Sequence, residues 1–410
     1  MYHVRQFKFM ASSYKFILKG KALVAQSGGC TAVINQSLAG IVEAARGAKA
    51  ITHILGAENG ITGVFSETFI NLKSKPASLI RAIANTPSAA LGSARHKLAK
   101  DEEHRVIEIL KKSNIRYFFL IGGNDTADTI HRVAEAAAKQ NYELRCIHVP
   151  KTIDNDLMET DHCPGYGSVA RFAAITTQEA GLDTRSMRRV DPVKIIELMG
   201  RNSGWIVAAS ALLKKKESDP PHILLFPEVP FDEKSFLSKV SRSLSRHGYC
   251  VAVISETIRD DQGNRIGARK SGITHDAFGH QYVEGAANYL ARITEAYLKV
   301  RARFDKPGTI QRMSIPYVSP VDQKEARQAG AEAVRWALKG LSGVMVAFER
   351  GKGAKYAISY KPVPVEKIAN RERYLPASFL TPEKTAVTPD FIHYALPLLG
   401  GNLPAHPSLL

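Results

Sequence analysis

The chain has 410 residues, 44% hydrophobic and 23% charged, with 56 Lys and Arg against 39 Asp and Glu for a net charge of +17. The length predicts two or three domains, and the composition excludes disorder as the main state. The charge fits a nucleic acid, a membrane surface or an anionic small substrate without choosing among them. Cys30, Cys146, Cys163 and Cys250 are too few and too scattered for a disulfide framework, and no C-x-x-C pair suggests zinc. Reduced thiols in a cytoplasmic protein are expected. No run of about 18 apolar residues predicts a membrane span.

The N-terminal stretch through Phe16 is basic and partly aromatic, lacks a signal-peptide core, and reads as an arm or a first strand. Lys21–Ala25 is a short apolar run, followed by Ser27-Gly28-Gly29 and a helical pattern from Asn35 to Ala45. Tyr117–Ile121 is the next strand, leading into Gly122-Gly123-Asn124-Asp125-Thr126 and a helix through Lys139. Cys146–Val149 follows, running into Pro150-Lys151-Thr152-Ile153-Asp154-Asn155-Asp156. Lys194–Leu198, Ile223–Phe226, Cys250–Ile254 and Gly343–Phe348 are further strands. Strands alternating with helices predict an α/β fold with mainly parallel sheets flanked by helices, in which ligands bind beyond the carboxyl ends of strands. From about Pro376 the chain is rich in Pro, Gly and Leu and is expected to wrap the surface or cover an interface.

Three clusters carry the chemistry, each after a strand. The glycines of Ser27-Gly28-Gly29 suit a phosphate loop, and equally a structural turn. Gly122–Thr126 suits phosphate plus magnesium, or a tight turn whose Asp125 and Thr126 cap the next helix. Pro150–Asp156 is the most informative, with one cation, one hydroxyl and two carboxylates in seven residues. Asp154 and Asp156 are two apart, so an extended backbone would point both to one face. One carboxylate can then hold a metal while the other accepts a proton from an attacking hydroxyl.

Together the clusters resemble those of the phosphofructokinases, over roughly Phe16–Arg350. The ordered elements are SGG with Asn35, LGSAR at Leu91–Arg95, GGNDT, PKTIDND, MGR at Met199–Arg201, Pro227-Glu228, Ser255-Glu256 and GTIQR at Gly308–Arg312. The resemblance implies a two-lobed fold: 16–190 with the phosphoryl-donor site, 191–350 as a sugar-phosphate lobe with chain crossovers, and 351–410 as a C-terminal extension. It implies Asp154 as the base for the 1-hydroxyl of fructose 6-phosphate, with Lys151 and Thr152 in the catalytic loop. It implies sugar-phosphate and phosphoryl contacts from Gly28, Gly29, Arg95, Thr152, Met199, Gly200, Arg201, Glu256 and Arg312. Asp125 and Asp156 fall in its magnesium region. Arg303 sits where the family brings an arginine from a neighbouring subunit, which implies a homodimer or homotetramer.

ATP-using members carry glycines where this chain has Asp125 and Lys151. An aspartate fills the volume of the ATP α-phosphate and repels it, while a lysine favours the compact charge of pyrophosphate. The resemblance therefore points to the pyrophosphate-dependent branch, a reversible Mg2+-dependent phosphoryl transfer of glycolysis and gluconeogenesis. Asn124, Cys30 and Thr309 depart from the ATP-using pattern. The alternatives are an ATP-dependent phosphofructokinase, a lipid or NAD kinase, which would lack TIDND and MGR, and a basic nucleic-acid-binding protein. No RRM-like or helix-turn-helix signature supports the last; no nucleic-acid and no membrane partner is expected.

Overall fold

Two mainly parallel sheets organise the computed structural model, which describes residues 18–268, 285–353 and 355–407. The first sheet begins with β1 (Gly20–Gln26), β2 (Ile51–Ala57), β3 (Phe69–Asn71), β4 (Ile115–Gly122) and β5 (Arg145–Pro150). The second is built from β6 (Val193–Leu198), β7 (Ile223–Leu225), β8 (Cys250–Ser255) and β9 (Ala302–Asp305). The chain then returns to the first sheet with β10 (Val344–Arg350) and β11 (Ile358–Pro364). Among the described residues the strand orders are β11-β10-β5-β4-β1-β2-β3 and β7-β8-β6-β9. Among the strand pairs of the described residues, the edge pairs β2–β3 and β10–β11 alone are antiparallel.

The central strands are nearly continuous apolar runs because helices cover both of their faces. Ala22, Val24, Phe119 and Ile121 face one core of the larger sheet. Their neighbours Leu23, Ala25, Phe118 and Leu120 face the other. On the first face the helix Ile34–Arg46 lies beside the helix Pro320–Leu338. The second lobe packs the helix Tyr166–Ser186 and the short helix Trp205–Ala209 against the smaller sheet.

Three expectations change. The division at 190 falls between β5 and β6, but the one at 350 does not follow the sheets, because β10 and β11 on either side of it complete the larger one. The segment after Pro376 does not merely wrap the surface: the helix Pro389–Leu399 buries Phe391, Ala395, Leu398 and Leu399 in the second lobe. The strands β2, β3, β9 and β11 add to those expected from the sequence. The expected N-terminal arm lies outside the described residues.

Candidate active site

The strands of both sheets deliver their carboxyl ends to one cleft of about 670 Å3. β1, β4 and β5 bring Ser27–Thr31, Gly123–Thr126 and Lys151–Asp156 to it. From the second sheet come Met199 and Arg201 after β6 and Glu256 after β8. Arg95 and Arg312 complete the basic wall.

The glycine loop is shaped for close approach. Gly28 adopts φ +75°, a left-handed conformation that L side chains seldom take. A Cβ on Gly29 would lie 2.8 Å from Arg312 Nη1, so glycine lets this arginine reach the loop. The backbone is tied to the next wall by Gly28 N–H donating to the Ala94 carbonyl at 3.0 Å and Ser93 Oγ donating to the Gly28 carbonyl at 2.7 Å.

Lys151 is the most unusual cation of the site. It is 3% exposed, and its Nζ donates to the Gly29 carbonyl at 2.7 Å. Burial pushes its pKa down to about 8, helped by the nearby charges of Arg312 and Arg201 and opposed by Asp154. A cation held this way, facing a cleft between two glycine loops, is completed by an anion.

Asp154 and Asp156 share the opposite problem. Burial raises both carboxyls above the ordinary range, and the charge of Asp156 raises Asp154 further. Arg201 Nε, 3.9 Å from Asp154 Oδ2, partly offsets this. The two do not sit on an extended backbone. Asn155 between them has φ +57°, so both reach the cleft through a tight turn. Asp154 N–H donates to Thr152 Oγ1 at 3.0 Å, and Ser203 Oγ donates to the Asp154 carbonyl at 2.9 Å. Glu256 Oε1 accepts from the N–H groups of Gly200 and Arg201, both at 3.4 Å.

The structure thus gathers Gly28, Gly29, Arg95, Asp125, Lys151, Thr152, Asp154, Asp156, Met199, Arg201, Glu256 and Arg312 around one cleft. Gly200 lies just behind the wall, at Glu256. Arg303 is elsewhere: on the edge strand β9 it pairs with Asp191 at 3.2 Å and is 54% exposed. Asp125 and Asp156 bring no third ligand of their own. Among the described residues such a trio occurs only at Asp101, Glu103 and His104, outside the cleft lining. Sequence reasoning missed Asn370, Arg371, Glu372 and Tyr374, which line the cleft from the C-terminal segment. The dense polar run NRERY was the available signal.

Comparison with known proteins gives relatives over nearly the whole chain. The chain is 41% identical over 391 residues to the pyrophosphate--fructose 6-phosphate 1-phosphotransferase of Xanthomonas campestris pv. campestris, with 94% of this chain and 93% of that protein covered. It is 26% identical over 374 residues to an ATP-dependent 6-phosphofructokinase of Propionibacterium freudenreichii subsp. shermanii, covering 85% and 93%. Its fold matches the pyrophosphate-dependent phosphofructokinase of Nitrosospira multiformis with a TM-score of 0.86 at 36% identity, over 95% of each chain. A family model described as phosphofructokinase matches residues 21–337, and with these relatives it establishes that the chain belongs to the phosphofructokinase family.

Proposed function

We propose that the chain transfers a phosphoryl group from pyrophosphate to the 1-hydroxyl of fructose 6-phosphate, giving fructose 1,6-bisphosphate and phosphate, and runs in both directions. The observation that carries this reading is the buried Lys151, which faces the same cleft as Asp125 and the Asp154–Asp156 pair. The relatives named above support the same donor.

In the forward reaction Asp154 accepts the proton of the 1-hydroxyl as that oxygen bonds the terminal phosphorus. The bond from phosphorus to the bridging oxygen breaks, and orthophosphate leaves. In reverse, Asp154 returns the proton. A carboxyl held above its usual range by burial suits a base working near neutral pH. Lys151, Arg95 and the N–H groups of the glycine loops neutralise pyrophosphate, and Arg201, Glu256 and Arg312 orient the sugar phosphate.

Asp156 Oδ1 and Asn124 Oδ1 are buried without hydrogen-bond partners, which fits a magnesium ion held by Asp156 and Asp125. Asp156 and Asp125 would hold the ion as few carboxylates, the kind of protein ligation magnesium prefers. The ion supplies charge neutralisation on the phosphate oxygens. We read Arg303, absent from its own chain's cleft, as reaching the 6-phosphate in a second copy, in a homodimer or homotetramer. The four cysteines are free thiols, which fits a reducing compartment such as the cytoplasm.

A donor comparison tests the reading. Fructose 6-phosphate and magnesium are offered with pyrophosphate or ATP, and kcat/KM is expected to favour pyrophosphate by orders of magnitude. A preference for ATP overturns the donor assignment and leaves the phosphofructokinase chemistry intact.

A further inference from the structure

We propose that Arg373 is a positioning residue: its guanidinium fixes the loop 154–161, and thereby the aim of Asp154 and Asp156, without touching either carboxylate. The proposal rests on the phosphoryl-transfer reading above and assigns a role to a segment beyond the residues matched by the family model.

The loop is anchored near its far end by Asp161 N–H donating to the Phe348 carbonyl at 2.9 Å and Tyr394 Oη donating to the Asp161 carbonyl at 2.7 Å. Asn155 sits in the left-handed region, a conformation that persists only where the surroundings impose it. Four of the loop's carbonyls turn toward one residue. Arg373 Nε and Nη2 donate to the Asn155 carbonyl at 3.1 and 2.8 Å. Its Nη1 donates to the carbonyls of Thr160 and Asp161 at 2.6 and 2.8 Å. Its backbone N–H donates to the Asp156 carbonyl at 2.8 Å. The guanidinium lies 4.7 Å from the ring centre of Trp205, whose Nε1 donates to the Arg373 carbonyl at 3.4 Å. Among the described residues no carboxylate comes within ion-pair distance of Arg373, so the whole fork is spent on backbone carbonyls.

The same segment grips the far wall. Leu375 N–H and Gly204 N–H donate to the one oxygen Oε1 of Glu228, at 2.9 and 2.8 Å. Asn370 Nδ2 donates to Asp128 at 3.0 Å on the helix Asn124–Lys139. Residues 370–375 therefore tie together the donor-side helix, the carboxylate loop and the turn that follows Arg201. The planar fork holds donors at fixed, separated positions that match these three carbonyls; a lysine ammonium, with its three donors on one nitrogen, does not reproduce that spread.

Arg373→Lys and Arg373→Ala test this with both substrates and magnesium, and with guanidinium added at millimolar concentration. A base displaced by an ångström loses on the order of 10²-fold in turnover. Arg373→Ala is thus expected to lose about that in kcat, with KM for both substrates within about threefold. Guanidinium should restore much of the lost kcat and leave wild type unchanged. Arg373→Lys should keep its melting temperature yet show the same split of kcat from KM, and it decides the matter if the alanine variant does not fold. A lysine variant with wild-type kcat overturns the proposal, as does a KM rise that accounts for the whole loss with no rescue by guanidinium. Wild-type turnover in the same assay tests the reaction separately; should ATP be the donor used, the Arg373 comparison is made with ATP.

Discussion

Replacing Asp154 by Asn separates chemistry from stability. The variant removes the proton acceptor and keeps nearly the same shape, so turnover should fall by roughly 10²–10⁴ while sugar-phosphate binding persists. Stability should move the other way. Burial and the charge of Asp156 raise the carboxyl from 3.8 to about 7, so its neutral form is favoured by folding. The contribution of that neutral form is fully present below 3.8 and is lost as pH rises through about 7. Above that the ionised group opposes folding by on the order of 4 kcal/mol at 1.36 kcal/mol per pKa unit. The offset from Arg201, 3.9 Å away, and the repulsion from Asp156 are already contained in that shift. Asparagine is neutral at every pH. Asp154→Asn should therefore melt a few degrees above wild type at pH 8, with the gap closing toward pH 4. The assays are a pyrophosphate-dependent turnover measurement and thermal unfolding at several pH values. Turnover within a factor of a few of wild type, or a variant less stable than wild type at pH 8, refutes the reasoning.

The same electrostatics predict that Asp156→Asn, by removing a like charge, shifts the acid limb of the kcat/KM profile to lower pH by about one unit; an unmoved or raised limb would contradict it. Asp125→Gly should admit ATP, while Lys151→Gly alone should mainly weaken pyrophosphate. Since the two residues share a cleft, kcat/KM for both donors on the double variant should not equal the sum of the single effects. Mixing and re-associating Arg303→Ala chains with Asp154→Asn chains should recover activity that neither has alone, because one hybrid site then carries both intact residues; no recovery would mean that the site lies within one chain or that Arg303 is only a surface charge.

Legibility followed burial. β1, β4, β5 and β8 are apolar on both faces and stood out as strands. The missed strands are edge or near-edge pieces whose exposure breaks the pattern: ARFD in β9 is charged, ISYKPVP in β11 carries two prolines, and β2 alternates irregularly. The site was legible where chemistry concentrates in short motifs at strand ends. It was illegible at Arg373, because a guanidinium that binds backbone carbonyls leaves no partner residue type to look for. The two-residue spacing of Asp154 and Asp156 suggested an extended segment; the asparagine between them, a residue type that tolerates the left-handed region, was the signal passed over. Arg303 could be placed on a chain but not in a site, because its own cleft does not receive it.

The return of β10 and β11 to the first sheet has a consequence for synthesis. β5 pairs with β4 on one side and with β10 on the other, and β10 leaves the ribosome only after the entire second sheet has been made. Until then the growing chain presents β5 as an open, apolar strand edge, the kind of surface that recruits other chains. The second sheet, contiguous from Val193 to Asp305, can assemble during that interval, whereas the first waits for a long-range closure. Chains interrupted before Val344 should therefore be caught by chaperones or aggregate through the β5 edge, even though every residue of the phosphate loops has already been made.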